Sequence, residues 1–505
     1  MGSTFGALEI GKSGLAISMQ NLQIAGHNIT NVNTVGYTRQ RVISTAKPPA
    51  GSSYLIAQVY NKQTGQGVES GNVQQIRSEY LDQQYRKLNA DYMQSEHRTQ
   101  ALSYLTGLHE ELNDDSSMTS SIKDFFAALG KFGEDTSSKE YRTNVQQQAV
   151  SMTQNFNYVY NEMVSLWKDQ NNSVNTVAQN INAFADQLSQ LNQSIASYER
   201  LGQTANDLRD QRNLLLDQLS GLVNISYSVN PDNTSMVDVS IGDAVLVSGT
   251  NANQIAITQS ATNDTLSGVP RYELTLDGKS LSNTGADARV TGGELLAHMQ
   301  MLSGDQPDQA GIPYYMNQMN DLVRSIAKNI NDIHAQGFTY PDGATASKNG
   351  VNFFQVANGA DGNPDYTTIT AGTFAISDDV RNSIYNIAGS SVEVSLTNPS
   401  TQTGNNEVAL KLFQDLNSSD YYGRLNSTVS HLAINMSTSQ KGLDVTEALV
   451  KNVDKQRSSI SGVSVDEETT NIIMFKQAYS ANARYITSLD DMLSTLINNT
   501  GRVGL

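Results

Sequence analysis

The sequence predicts a mainly α chain with inserted β structure: terminal coiled-coil helices, a long helical bundle domain and a strand-rich outer domain. Three observations carry that expectation. Residues 139–201 hold neither Gly nor Pro and keep apolar side chains at three- and four-residue spacing. Both chain ends carry apolar heptads. Residues 224–250 instead alternate apolar and polar side chains, the period of a strand.

The first element is a helix. Leu8, Leu15, Leu22 and Ile29 recur every seven residues, with Phe5 and Met19 at two intervening positions. Lys12 and Gly26 fill the remaining core-type positions, so the seam is imperfect. The same stretch, "GALEIGKS", matches the phosphate-binding pattern G-x-x-x-x-G-K-[ST] at Gly6, Gly11, Lys12 and Ser13. That loop works between a buried strand and a helix N-terminus, where backbone N–H groups converge on phosphate. Only "MGSTF" precedes Gly6, and the heptad runs straight through the match. A P-loop nucleotide hydrolase is therefore the disfavoured alternative from another class. The helix should stop in "NITNVNTVGY" (28–37), where Gly36 can take a left-handed backbone and Tyr37 can anchor the chain back onto the helix. A plain stop explains the glycine but not Asn28, Asn31 and Asn33 together.

Next, Leu81, Tyr85, Leu88 and Tyr92 lead on to Leu102, Leu105, Leu108 and Leu112 in a second helix. The long helix follows, with a capping-box pattern at Ser137 and Glu140. Met152, Phe156, Val159, Met163 and Trp167 continue into Val174, Val177, Ile181, Phe184, Leu188, Leu191, Ile195 and Tyr198. One slip, Met163–Trp167–Gln170, reads as a stutter, and 169–175 is the expected kink. A third helix covers 206–222. Antiparallel strands are expected over 224–250 and a hairpin at 272–281 with Asp-Gly at its tip. Helices return at 292–302 and 316–338, strands and loops fill 340–405, and helices run from there to the end. The last helix starts with Ser464 and Glu467 as a capping box and acidic residues in its first turn. Ile472, Phe475, Tyr479, Ile486, Leu489, Leu493 and Leu496 then keep a heptad, with Asn482 at one seam position.

These elements divide into 1–50 plus 462–505 as a terminal coiled-coil domain, 51–222 plus 290–338 plus 405–461 as a helical bundle, and 223–289 plus 339–404 as a strand-rich outer insert. Each terminal helix shows an apolar stripe that it cannot bury alone. The expectation is that copies of the chain bury what the pair leaves open, so the heptad residues of both ends are the candidate assembly residues.

Composition excludes several classes. The net charge is −17, against the basic surface that nucleic acid demands. No apolar run reaches the length of a membrane span, and no conventional secretory signal is expected at the N-terminus. There are no cysteines, which excludes disulfides and thiol chemistry. "HEELN" (109–113) lacks the second histidine of a zinc motif, and "DGNPD" (361–365) begins like a calcium loop but has Tyr366 where Gly belongs. "GQGVESG" (65–71) misses the dinucleotide spacing, and His334 at helical spacing reads as a packing residue. No catalytic, cofactor or metal residue is therefore assigned.

"NLQIAGHNITNVNTVGYTRQRV" (21–42), through Asn28, Asn31, Val32, Asn33, Thr34, Gly36 and Tyr37, resembles the N-terminal signature of flagellar rod, hook and hook-associated proteins. "GVSVDEETTNIIMFKQAYSANARYITSLDDMLSTLI" (462–497) resembles their C-terminal signature. "YTRQRV", "DLRDQRNLLLDQL" (207–219), the Asn331, His334 and Gly337 pattern, and "SGVSVDEE" (461–468) are similar to hook-associated members that join hook to filament. The resemblance implies a structural, non-enzymatic junction of a bacterial flagellum. It implies self-assembly into a ring or tube, contact with hook protein and with the next junction protein, and an export chaperone on the C-terminal helices. Type III export without a cleaved signal peptide, an extracellular location and the lack of cysteine fit together in that setting. The alternatives within the class are hook protein, expected to be richer in β structure, and flagellin, which lacks the "NVNTVGY" signature. An adhesin on helical stalks would want a signal and an anchor.

Overall fold

The computed structural model describes residues 4–47, 65–110, 118–285, 288–343, 345–395 and 404–500. The Phe5 side chain and the 109–113 stretch lie outside what is described.

Helix α1 (Thr4–Thr30) leads into an antiparallel ribbon of β1 (Gln40–Ala46) and β2 (Val68–Gln75). Four helices follow: α2 (Glu79–Glu110), α3 (Met118–Glu134), α4 (Lys139–Glu199) and α5 (Asn206–Leu222). Strands β3 (Ser226–Val229), β4 (Val237–Ile241), β5 (Ala244–Ser248) and β6 (Asn251–Ala252) form one antiparallel sheet in chain order. A second sheet holds β7 (Ala256–Asn263), β8 (Pro270–Leu276) and β9 (Lys279–Ser280). Helices α6 (Glu294–Ser303) and α7 (Ile312–His334) return to the bundle. After β10 (Ala357–Asn358), β11 (Pro364–Asp365) and the short α8 (Asp378–Asn382), the chain closes with α9 (Glu407–Ser418), α10 (Tyr421–Ser461) and α11 (Val465–Thr500). The fold is mainly α with inserted β structure, as the periodicities predict.

The long helix α4 has 61 residues, about 90 Å at 1.5 Å per residue. It runs unbroken through 169–175, where a kink was expected, because Leu166, Trp167, Asn171 and Val174 continue its buried face. Its N-cap is Ser138 rather than Ser137. The Ser138 hydroxyl accepts from the Tyr141 N–H at 3.2 Å, whereas Ser137 donates to Asp135.

Both sheets hang on α4 through asparagines. Asn171 accepts from the Tyr272 N–H and donates to the Pro270 carbonyl, both at 3.0 Å. Asn182 does the same with Ile255, at 2.7 and 3.0 Å. Buried Asn192 accepts from the Val237 N–H and donates to the carbonyls of Val237 and Gly249. A side-chain amide carries the same donor and acceptor as a peptide, so each satisfies strand backbone that would otherwise be buried unpaired. The Asp277–Gly278 tip of the 272–281 hairpin has φ of 53° and 71°, the left-handed pair such a two-residue turn requires.

Residues 339–395 differ from expectation. Among the described residues their β structure is limited to the two-residue strands β10 and β11 and isolated bridges, with the short α8 and two single 3-10 turns beside them. Their aromatics turn back into the bundle, where Phe354 stacks within 4.9 Å of Phe353 and 4.7 Å of Phe374, beside Phe125 and Phe156. Helix side chains again replace strand partners. Asn331 exchanges two hydrogen bonds with Phe354, and Asn320 accepts from the Ala371 N–H. The "DGNPD" oxygens are used locally, Asp361 accepting from Asn363 and Asp365 from Thr367. His334 is fully buried, with Nδ1 2.7 Å from the Val351 carbonyl and Nε2 accepting from the Ala388 N–H at 2.8 Å. Both ring nitrogens are occupied by backbone, so it is a packing residue, and burial pushes its imidazole down to about 4.

Candidate assembly surface

The terminal helices pair with each other. Gly11 of α1 faces Ile486 of α11, and Gly14 faces Asn482, so the two run antiparallel. A Cβ on either glycine would come within 2.8 Å of its neighbour, so the helices meet closely there. The fully buried positions of α1 are Gly11, Ser18, Ala25 and Asn28, a line of small or polar residues. Leu8, Leu15, Leu22 and Ile29 flank that line half-buried, and Met19 is 50% exposed. The lone close-packed helix pair is too narrow to cover long side chains on both sides of its contact.

On α11, Ile486 lies against Gly11 of α1. Ile472, Phe475, Tyr479, Ile486, Leu489 and Leu493 are half-buried, and Leu496 is exposed. No described residue between 469 and 498 is fully buried. Beside the seam, Ile473, Met474, Tyr485, Met492 and Ile497 lie open, Met474 and Met492 at 55% and Ile497 at 73%. Helix α10 adds Ile434, Val445, Leu449 and Ile460. A row of large apolar side chains left in water along one helix marks a contact surface rather than scattered exposure.

The Gly6–Ser13 stretch lies inside α1. Its backbone N–H groups are spent on the helix, Lys12 is exposed, and the Ser13 hydroxyl donates to the Ile10 carbonyl and accepts from the Val68 N–H. Nothing there can cradle phosphate, so the hydrolase alternative is discarded.

The turn after α1 is built from the signature residues. Gly36 has φ +81°, and a Cβ there would touch Leu214 of α5 at 3.2 Å. The Tyr37 hydroxyl donates to Asn28 Oδ1 at 2.8 Å and sits 3.0 Å from His27 Nδ1. Buried Asn28 also accepts from the Gln40 N–H and donates to its carbonyl. Asn31 donates to the His27 carbonyl and accepts from Thr34, ending the helix. Asn33 is exposed.

The residues that sequence reading did not single out lie just beyond. Arg39 donates to Glu468 at 2.7 Å and to Glu467 at 2.8 Å, and its N–H bonds the Ser461 carbonyl. The two signature segments thus clamp each other where α10 meets α11. Glu467 is drawn to Arg39, and Ser464 caps it only at 3.5 Å, so the expected capping box is open. Asp210 of α5 accepts from the Thr38 N–H at 3.0 Å and from Gln75 at 2.8 Å. Burial outweighs those donors and pushes the Asp210 carboxyl up to about 6. Burial, with Asp207, Asp210 and Glu468 nearby, also raises the Tyr37 hydroxyl, keeping it a donor. Beneath this layer Arg457 of α10 bonds Asp82 at 3.0 Å and Asp217 at 2.7 Å, and Arg86 bonds Asp217 at 2.7 Å. The ion pairs therefore lock α1, α2, α5, α10 and α11 into one register. "YTRQRV", "DLRDQR" and "SGVSVDEE" were the only signal for these residues.

Comparison with known proteins now bears on the geometry. The family description "Flagellar hook-associated protein FlgK helical domain" matches residues 104–354, and "Flagellar basal body rod FlgEFG protein C-terminal" matches 454–499. The flagellar hook-associated protein 1 of Bacillus subtilis is 28% identical across 99% of both chains. Over nearly its whole length the chain is similar to members of the flagellar hook-associated protein 1 family. The Salmonella typhimurium member is 25% identical over 96% of this chain and 98% of its own. A solved structure of the flagellar hook junction protein FlgK from Burkholderia pseudomallei superposes with a TM-score of 0.57 at 13% identity, covering 75% of this chain and all of that one, a likeness of fold. The family's rod-type C-terminal segment contains Glu467, Glu468 and the half-buried stripe of α11.

Proposed function

We propose that this chain is a structural, non-catalytic junction between hook and filament of a bacterial flagellum, built by self-assembly through α1 and α11. The single observation that carries the reading is the half-buried stripe of the terminal pair, held to the bundle by Arg39 and left open along Met474, Met492 and Ile497. Copies of the chain complete that stripe in a ring or tube. The helical bundle forms the next shell and the sheets face outward, following the division at 1–50 plus 462–505, 51–222 plus 290–338 plus 405–461, and 223–289 plus 339–404. The protein meets hook protein on one side and the next junction protein on the other. Before assembly a chaperone covers the C-terminal helices, and the chain is exported without a cleaved signal. A chain with no cysteine cannot cross-link on passing between redox compartments, which supports export.

The test is a deletion of residues 1–35 or of 470–505 in the producing bacterium. The expected result is normal hooks with unattached flagellin in the medium. Filaments of normal length on either deletion would overturn the reading.

A further inference from the structure

His97 of α2 meets Glu294 and His298 of α6, far from the terminal helices. Their three ligand atoms lie within 4.8 Å of one another. His97 Nε2 is 3.8 Å from Glu294 Oε2, and His298 Nε2 is 3.4 Å from Glu294 Oε1. On the far side of the ring, His298 Nδ1 is 2.6 Å from Gln170 Oε1 of α4. An amide oxygen only accepts, so Nδ1 carries a proton and Nε2 is the nitrogen turned toward the carboxylate. The two rings sit 5.5 Å apart and tilted by 60°, unstacked. With bonds of about 2.1 Å, the ligand-to-ligand edge of a tetrahedral site is roughly 3.4 Å, which the His298–Glu294 contact matches and the 3.8 Å His97–Glu294 contact approaches.

We propose that His97, Glu294 and His298 form a three-ligand site for a first-row divalent transition-metal ion, with Zn²⁺ the reference ion, stapling α2 to α6. Two imidazoles and one carboxylate suit Zn²⁺ and its neighbours rather than Ca²⁺ or Mg²⁺, which prefer oxygen alone. Gln170 acts from α4 as the outer partner that fixes the His298 tautomer. The His97 side chain is 23% exposed, so the cluster borders solvent on that side. The ligands come from helices distant in sequence, which is why no spacing motif announced them.

The test uses the full chain, stripped with a chelator and titrated with Zn²⁺ against a chromophoric competitor. One Zn²⁺ per chain is expected, with a rise in melting temperature. His97→Ala and Glu294→Gln should each weaken binding at least about tenfold and abolish the rise, and Gln170→Leu should weaken it roughly tenfold. Circular dichroism matching the unaltered chain separates lost ligation from misfolding, and the partly exposed His97 is the variant best able to fold. No binding at micromolar Zn²⁺, or binding that His97→Ala and Glu294→Gln leave unchanged, overturns the proposal.

Discussion

Arg39 donates to Glu468 across 2.7 Å, although 429 positions separate them in the chain, and the Glu468 carboxylate is buried. This contact ties the turn after the first helix to the start of the last. Everything the terminal pair does mechanically passes through it and its neighbours at Thr38, Asp210 and Ser461.

Arg39→Ala should therefore loosen the termini before the bundle. Removing the guanidinium leaves Glu468 buried without its charged donor, at a cost of roughly 1.5–3 kcal/mol. The loss should appear as faster amide exchange at the start of α11, with α4 unchanged. Glu468→Gln in the same chain should recover part of it, since the stranded charge is then gone. Equal loss in the single and double variants would show that the pair is not coupled.

The pH dependence of stability has a definite sign at His334. Its folded value of about 4 lies below the ordinary 6.5, so between these limits the unfolded chain binds the proton and the folded chain does not. Its contribution is complete above about pH 6.5 and is lost as pH falls toward 4, of the order of 3 kcal/mol in total. Asp210, raised to about 6 from 3.8, works the other way, favouring the fold as pH falls through the same range. The clean readout is a difference: His334→Gln should be less stable than the unaltered chain at pH 7.5, and the gap should narrow by pH 4.5. Denaturant midpoints at the two pH values check this.

Met474→Glu and Met492→Glu should separate folding from assembly. Both side chains are more than half exposed, so each change should alter the stability of the isolated chain by no more than about 0.5 kcal/mol. Both put a charge on the stripe that copies are to bury, so secreted protein should stay unincorporated. Unimpaired incorporation would mean that this face of α11 stays in water.

The elements with strong period were legible in the sequence. The heptads of α1 and α11, the Gly- and Pro-free α4, and the Asp-Gly hairpin follow from local rules. The face by which α1 meets α11 was not singled out, because leucines announce a period and small residues do not. Gly11, Ser18 and Ala25 take the close contact, and the leucines are left to flank it. Residues 340–405 read as strands and loops because they are rich in Gly, Asn and Thr. Asn320, Asn331 and Asn157 replace the missing strand partners, and no local rule foretells that. Arg39 and Glu468, or His97 and Glu294, belong to different helices and turns, so only the fold brings them together.

The central claim is that the stripe of α1 and α11 is completed by other copies. Amide hydrogen exchange over residues 6–30 and 470–497 tests it most directly, in dilute isolated chain and again after incorporation into hook ends. The account predicts exchange much faster than in α4 for the isolated chain, slowing to the rate of α4 once assembled. Full protection of both segments in the dilute chain, with no change on assembly, would contradict it.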